Sequence, residues 1–426
     1  MNARKKEAPA NSEVKPSYRW VILTLSWLLY FAFGLIDSAL SVLVTTVMTG
    51  LSLTYSQMGI ILGSWQLVYI FFAQPAGLLI DYLGSYKSLF LGATIISLSA
   101  ALRGIARNFE SLLVFVALFG LGGPMISIGL PKLTSAWFIG RERGIATGVF
   151  TTGNAIGSIV ALSITNSVMM PIVGTWNRVF LAYSLMGLMI TLLWLSVGRR
   201  SQNSNEVRTK SRSLGEKNTG TIRKQLLQSR NVWFIVIIGV TSFLAGHGLP
   251  NWLPKILELK GMTAGEAGAA VSFLQISGIA GSLLIPRLPY TLGSKKLAIS
   301  LTLVTLGIAI LILGVESGPI IWLAMMVAGA TMRGLLPLLM VTLMDLPEVD
   351  SKQMGAIGGL YFSIGEIGGF GGPVVMGLLK DVTGSFIWGI IFIAAVTEAA
   401  IIFAALLDVD NPKRGADSPR EGSKTP

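Results

Sequence analysis

The chain has 426 residues, of which 52% are hydrophobic and only 13% are charged, and its formal net charge is +12. A soluble domain carries about a quarter charged residues, so this composition excludes an ordinary soluble globular protein. The sequence has no cysteine and a single histidine. This excludes disulfides, thiol catalysis and cysteine or histidine metal clusters, and we expect neither a metal nor a cofactor.

Long apolar blocks run between the few charged segments. Each block is long enough to cross a hydrocarbon core about 30 Å thick as a helix. Lipid offers no hydrogen-bond partners to the backbone, so these blocks must be helical. The sequence therefore predicts an all-α membrane protein with twelve transmembrane helices, at 20–47, 56–82, 87–106, 111–138, 144–170, 176–198, 231–254, 264–286, 296–314, 319–345, 354–379 and 385–407.

The distribution of Lys and Arg predicts the orientation of these spans. If the N-terminus is cytoplasmic, the outer loops hold only five of the 33 basic residues, namely Arg107, Arg178, Lys255, Lys260 and Lys380. Basic residues favour the cytoplasmic side, so we expect both termini inside the cell and the protein in the cell membrane. We attribute the positive charge to this topology and to anionic lipid headgroups, and we expect no binding of nucleic acid.

One long polar segment separates the spans into two sets of six. It is rich in Ser, Asn, Gly and basic residues, which is typical of a flexible linker. The first twenty residues lack a small-residue cleavage site, so we expect a tail and not a signal peptide. The predicted organisation is a cytoplasmic N-terminal tail (1–19), a six-helix bundle (20–198), a cytoplasmic linker (199–230), a second six-helix bundle (231–407) and a cytoplasmic C-terminal tail (408–426).

The two sets of spans resemble each other in sequence. An ungapped alignment of 59–87 with 268–296 matches two glycines, a glutamine, a serine and a lysine. Further along, "FTTGNAIG" (150–157) parallels "FSIGEIGG" (362–369). Parallel repeats predict two bundles related by an axis along the membrane normal, with a site between them at mid-depth.

The segment "GLLIDYLGSYK" fits the pattern G-x-x-x-D-x-x-G-x-x-[KR]. It resembles the loop between the second and third helices of the major facilitator superfamily, and the chain is similar to that family over nearly its whole length. The family implies a cytoplasmic latch. In this latch an acid accepts hydrogen bonds from helix N-termini or a cation, and a lysine at a helix end supplies the opposite charge. Tyr82 replaces a usual basic residue, and Tyr290 stands where the second copy would have its acid, so we expect the latch in the first half only. The predicted latch residues are Gly77, Asp81, Gly84, Lys87, Arg141 and Arg143.

Three ionisable residues fall inside predicted spans that the family places at or beside a central cavity: Asp37, Arg333 and Glu366. Such groups are costly in lipid and are candidates for function. The planar fork of Arg333 suits a carboxylate or similar oxyanion, so we predict an anion site; the alternative is a structural ion pair with one of the two acids. Asp37 and Glu366 are candidate proton carriers, with a fixed salt bridge as the alternative.

His247 lies in "AGHGLPNWLP", where two prolines and two glycines predict a broken helix. This histidine is a proton relay or a packing residue. We expect Arg103, near the end of the third span, to extend to the membrane surface. The remaining candidates for substrate binding, beside Arg333 and Asp37, are polar or aromatic: Gln66, Tyr69, Asn251, Gln275 and Tyr361.

No nucleotide-binding motif occurs, so transport must run on a gradient, and we expect a transporter that is not an enzyme. The resemblance implies a secondary active transporter that works by rocker-switch alternating access, functional as a monomer. We predict a small organic or inorganic anion as the solute, moved with protons or another coupling ion. Parts of the chain resemble cyanate and nitroimidazole permeases, and others resemble organic-anion carriers. The alternatives are a proton-coupled multidrug exporter and a non-transporting membrane sensor on the same scaffold.

Overall fold

A computed structural model describes residues 18–198, 229–315, 318–346, 349 and 354–410. The helices within these ranges are α1 (Tyr18–Val42), α2 (Val44–Leu51), α3 (Tyr55–Arg103), α4 (Phe109–Trp137), α5 (Arg141–Ile164), α6 (Met170–Val173), α7 (Trp176–Gly198), α8 (Arg230–Leu259), α9 (Ala264–Leu284), α10 (Leu288–Leu292), α11 (Lys295–Val315), α12 (Ile320–Met344), α13 (Met354–Thr383) and α14 (Ile387–Leu406). A π-helical turn, Thr165–Met169, joins α5 to α6. The predicted tails and most of the predicted linker lie outside the described residues.

Eleven helices of the described ranges are long and apolar enough to cross a membrane. One of them, α3, has 49 residues, enough for two crossings at about 1.5 Å per residue. Gly84 interrupts it with φ 81° and ψ 158°, a backbone region open essentially to glycine alone. The described residues therefore provide helices for twelve membrane crossings, which confirms the predicted all-α fold.

The parallel repeat is visible in local structure as well as in sequence. Thr54 and Thr263 each open a helix with a capping box, in which the threonine side chain bonds the backbone three residues on and that residue's side chain bonds back. The two threonines are separated by the same 209 positions as Gly84 and Gly293, both of which have positive φ. The two halves thus begin equivalent spans with the same capping box and end them at a glycine with positive φ, although ψ differs between Gly84 (158°) and Gly293 (8°).

The two halves, 18–198 and 229–410, pack against each other along α3 with α13 and α5 with α9. We call the end that carries the turns at Gly84 and Gly293 the basic end, and the other the opposite end. Toward the opposite end the seams are tight. A Cβ built on Gly59 would lie 2.5 Å from the Pro373 oxygen, and one on Gly268 would lie 2.2 Å from the Leu162 oxygen. Glycine is therefore needed there for backbone-to-backbone approach.

At the basic end the same helices stand apart. A Cβ built on Gly144 or Gly148 of α5, or on Gly358 of α13, would meet no described atom within 4 Å. Hydrogen bonds between described residues of the two halves lie at the opposite end or at mid-depth, as in Ser163 with Ser272. The part of the chain that the structure describes is therefore closed at the opposite end and open toward the basic end.

The predicted break in the seventh span is wrong. Helix α8 runs without interruption over Arg230–Leu259, with Pro250 and Pro254 inside it. Membrane helices tolerate proline because neighbouring helices and small local adjustments accommodate the freed backbone groups. Here α8 is held closely by α13, since a Cβ on Gly248 would lie 3.1 Å from the Gly372 backbone.

Candidate functional site

Arg333 projects from the middle of α12 and is exposed, although it lies far from either end of the helix. Its Nη2 donates a hydrogen bond to Oε1 of the buried Gln275 at 3.1 Å. Its stem lies over Gly278, where a Cβ would sit 2.6 Å from the arginine Cγ. Asp37 and Tyr30 of the other half lie within electrostatic range. The guanidinium therefore faces the space between the halves.

Asp37 lies across this space on α1 and is half-buried. The side chain of Trp65 lies near its carboxylate, and both Arg103 and Arg333 are within electrostatic range. The acid thus lies near two cations. Of these, Arg333 is exposed to the space between the halves, which we call the chamber, and Arg103 is buried. An anion bound at Arg333 would therefore change the electrostatic environment of Asp37.

The prediction that Arg103 extends to the membrane surface is wrong, because its side chain is buried. It is only 1% exposed, donates from Nη1 to the Ile36 carbonyl at 3.3 Å, and has its guanidinium 5.4 Å and 5.8 Å from the ring centres of Phe119 and Phe180. The two aromatic rings and the nearby Asp37 stabilise the buried guanidinium of Arg103. The position of Arg103 near a helix end did not indicate these contacts.

Three further polar residues meet at mid-depth. Nε2 of Gln66 donates to Nδ1 of His247 at 3.2 Å, which leaves the proton of a neutral imidazole on Nε2. That Nε2 lies 3.7 Å from Oε2 of Glu366. Glu366 is 5% exposed, and its Oε2 has no hydrogen-bond partner among the described residues. Gln66 belongs to the first half and the other two to the second, so the cluster spans the interface.

Gly369 makes room for this cluster. A Cβ there would lie 2.2 Å from Oε2 of Glu366, 3.2 Å from Cδ2 of His247 and 3.3 Å from Cγ of Gln66. The repeat already aligned this glycine with one in α5, but nothing in the sequence distinguished a glycine that makes space for an acid from one that lets two helices approach. Its role is set by three side chains from three different helices.

Aromatic rings line the same level. The Trp65 ring lies edge-on to His247 at 5.9 Å and to Tyr69 at 6.2 Å. Tyr69 is 8% exposed, and its hydroxyl shares a 3.1 Å hydrogen bond with Ser127, a residue that no sequence pattern indicated. Apolar and aromatic walls with a few polar groups are typical of small-molecule binding sites.

The structure places two predicted binding residues apart from the cluster. Tyr361 is fully buried against Phe243 and Phe362, and its hydroxyl has no partner among the described residues. Asn251 is half-buried on α8, one turn beyond His247.

The predicted latch residues lie at the basic end. Nζ of Lys132 on α4 binds the Asp81 carboxylate at 2.5 Å, whereas Lys87 is exposed. Arg143 donates to the Ser135 carbonyl at 2.9 Å, Gly77 has no described atom near a built Cβ, and Gly84 makes the turn. The side chain of Arg141 lies outside the described residues. The bonds described for this cluster stay within the first half, as the open basic end requires.

Three relatives cover most of the chain. The hexuronate transporter of Bacillus subtilis (strain 168) is 24% identical over 372 residues, which is 82% of this chain and 85% of the relative. The probable L-galactonate transporter of Escherichia coli (strain K12) is 25% identical over 432 residues, covering 92% and 91%. The quinolone resistance transporter of Acinetobacter baumannii is 25% identical over 365 residues, covering 80% and 82%.

The fold also matches a solved structure of a bacterial homolog of the human lysosomal transporter Spinster, in an inward-facing and occupied conformation. The TM-score is 0.72 at 14% sequence identity, covering 92% of this chain and 95% of that one, so the likeness concerns the fold alone. A model of the Major Facilitator Superfamily matches residues 26–373, which confirms the expected family and the expectation of a transporter that is not an enzyme. The chain is a member of the Major Facilitator Superfamily.

Proposed function

We propose that this protein is a secondary active transporter that moves a small organic anion of the sugar-acid type across the cell membrane by alternating access. The observation that carries the proposal is Arg333. It is a permanent cation exposed in the chamber between the halves. Of its five N–H donors, one makes a described hydrogen bond, to Gln275. The presence of a hexuronate transporter and a probable L-galactonate transporter among the relatives supports a carboxylate solute.

We infer that the basic end faces the cytoplasm, since Lys and Arg concentrate there. The described conformation is then open to the inside. In the opposite conformation the basic end closes, and the latch around Asp81 is the element that we expect to join the halves. In this state its carboxylate is held by Lys132 of its own half.

Proton coupling is assigned to Glu366 and His247, with Asp37 as the acid that senses the anion. Glu366 is buried, is 3.7 Å from the imidazole and has an oxygen without a described partner, so it has a site for one proton. Gln66 orients His247 from the other half. A movement between the halves therefore breaks the contact that fixes the imidazole, and this gives the protein a physical route from conformation to protonation.

The test is uptake of labelled D-glucuronate and L-galactonate into proteoliposomes that contain the purified protein, with and without an inward proton gradient. We expect the gradient to drive accumulation of at least one of the two. Glu366→Gln should abolish gradient-driven accumulation and keep exchange of internal for external solute, because a fixed neutral side chain blocks only the step that needs deprotonation. Absence of binding and flux for both acids would contradict the solute class.

The relative named for quinolone resistance favours one second candidate, a drug exporter. That relative is named for a different kind of solute, and in a drug exporter Arg333 would have a structural role. Replacing Arg333 by Gln separates the two: anion uptake would be lost, whereas drug efflux would persist.

A further inference from the structure

A carboxylate of the second half holds a helix start of the first half at the opposite end. Oδ1 of Asp381, near the end of α13, accepts from the backbone N–H of Tyr55 at 3.1 Å, and Oδ2 accepts from that of Ser56 at 2.7 Å. These are the first two residues of α3, whose N–H groups have no partner inside the helix. A charged acceptor there gains from the positive end of the helix dipole.

The neighbourhood fixes Asp381 in this position. Nζ of Lys380 lies 5.4 Å from the ring centres of both Tyr55 and Phe386. A Cβ on Gly377 would lie 2.3 Å from the Tyr55 carbonyl oxygen, so α13 approaches the start of α3 at backbone distance. The capping box of Thr54 leaves the two amides of Tyr55 and Ser56 directed at the acid.

The repeat supplies an internal comparison. Ala264 and Gly265 begin α9, as Tyr55 and Ser56 begin α3, and they face the end of α5. There the contact between halves is neutral: Nδ2 of Asn166, on the π-helical turn, donates to the Ala264 carbonyl at 3.4 Å. Charge-assisted hydrogen bonds are about twice as strong as neutral ones. The two helix starts at the closed end are thus held unequally, and the one bonded by a carboxylate is the start of α3, at Asp381. A second carboxylate of the second half, Glu258, also accepts a hydrogen bond at this end, from the Thr45 hydroxyl of the first half, but it does not bond a helix start.

We propose that Asp381 is a gate residue that holds the opposite end shut, and that its release from Tyr55 and Ser56 is required before that end opens. The inference rests on the alternating access proposed above. It does not depend on the identity of the solute. Two acids then act at opposite ends of the molecule. Asp81 belongs to the first half and acts at the basic end, and Asp381 belongs to the second half and acts at the opposite end.

The test measures conformation directly and needs no solute. The chain has no cysteine, so Tyr82→Cys and Tyr290→Cys introduce two unique spin-label sites. These residues are 86% and 83% exposed and lie at the basic end in opposite halves. Double electron–electron resonance in nanodiscs should show mainly long distances in the parent. Asp381→Asn should move the ratio of short to long distances about tenfold toward short ones, as expected for the loss of a charge-assisted hydrogen bond.

Asp410→Asn is the matched control. Asp410 also caps a helix, accepting from the Lys295 N–H at 2.7 Å, but donor and acceptor both belong to the second half. This change should leave the distance distribution unaltered. An unchanged distribution in a folded Asp381→Asn protein, or an equal shift in both variants, would overturn the proposal.

A second measurement needs no variant, in case Asp381→Asn does not fold. Hydrogen–deuterium exchange in the parent should be slower at the amides of Tyr55 and Ser56 than at those of Ala264 and Gly265. Equal exchange at both helix starts would also overturn the proposal. Because neither measurement involves transport, failure of anion uptake and failure of the gate are separate outcomes.

Discussion

Replacing Arg333 by Gln is the most direct perturbation of the proposed solute site. The arginine has five N–H donors, and the structure commits one of them to Gln275. A carboxylate bound by the remaining fork would make two charge-assisted hydrogen bonds, worth about 1.5–3 kcal/mol each, so the variant should lose about 3–6 kcal/mol of binding free energy. At about 1.4 kcal/mol per tenfold, Kd should rise by roughly 10²–10⁴.

Isothermal titration calorimetry with D-glucuronate on protein in nanodiscs measures this change. Arg333→Lys keeps the charge and loses the fork, so its affinity should fall between those of the parent and the Gln variant. Loss of the hydrogen bond to the buried Gln275 should cost about 1–3 kcal/mol of folding stability, so the melting temperature of each variant is measured beside its affinity. Glucuronate affinity in Arg333→Gln equal to that of the parent would refute the reasoning.

Three further outcomes are expected. Gly84→Ala should destabilise the protein by about 1–3 kcal/mol because φ 81°, ψ 158° is strained for alanine, whereas Gly77→Ala on the same helix, with open space around its Cβ, should not lower the melting temperature. Gly369→Ala should displace the Glu366 carboxylate, cost about 1–3 kcal/mol by overpacking and abolish proton-driven uptake in proteoliposomes; normal coupling would contradict the site. Partial burial disfavours ionisation of Asp410, but hydrogen bonds from Ser294, Lys295 and Lys296 outweigh it and hold its pKa below the usual range. The stability difference between the parent and Asp410→Asn should therefore be present at neutral pH and disappear as the pH falls through that lowered pKa, which melting curves at several pH values would check.

The sequence located single residues well where a local rule applied. The turn at Gly84 was predictable because the glycine follows a long apolar run in a known loop pattern, and its φ of 81° agrees. Partners were predicted poorly. Lys132, not Lys87, binds Asp81, because the lysine side chain that reaches the acid comes from a neighbouring helix 51 residues away. Arg103 looked like a surface residue from its position near a helix end, but packing turned it inward against Phe119 and Phe180.

By itself, the sequence determined the twelve crossings, the helical class and the parallel repeat. The physical reason is that hydrocarbon thickness and the need to satisfy backbone hydrogen bonds act on each span separately. Only the tertiary structure decided which polar side chains meet. The glutamines that align in the repeat illustrate this, since Gln66 binds His247 while Gln275 binds Arg333. Which face of each helix turns toward the chamber depends on close packing among all the spans, and that information is distributed over contacts between residues far apart in the chain.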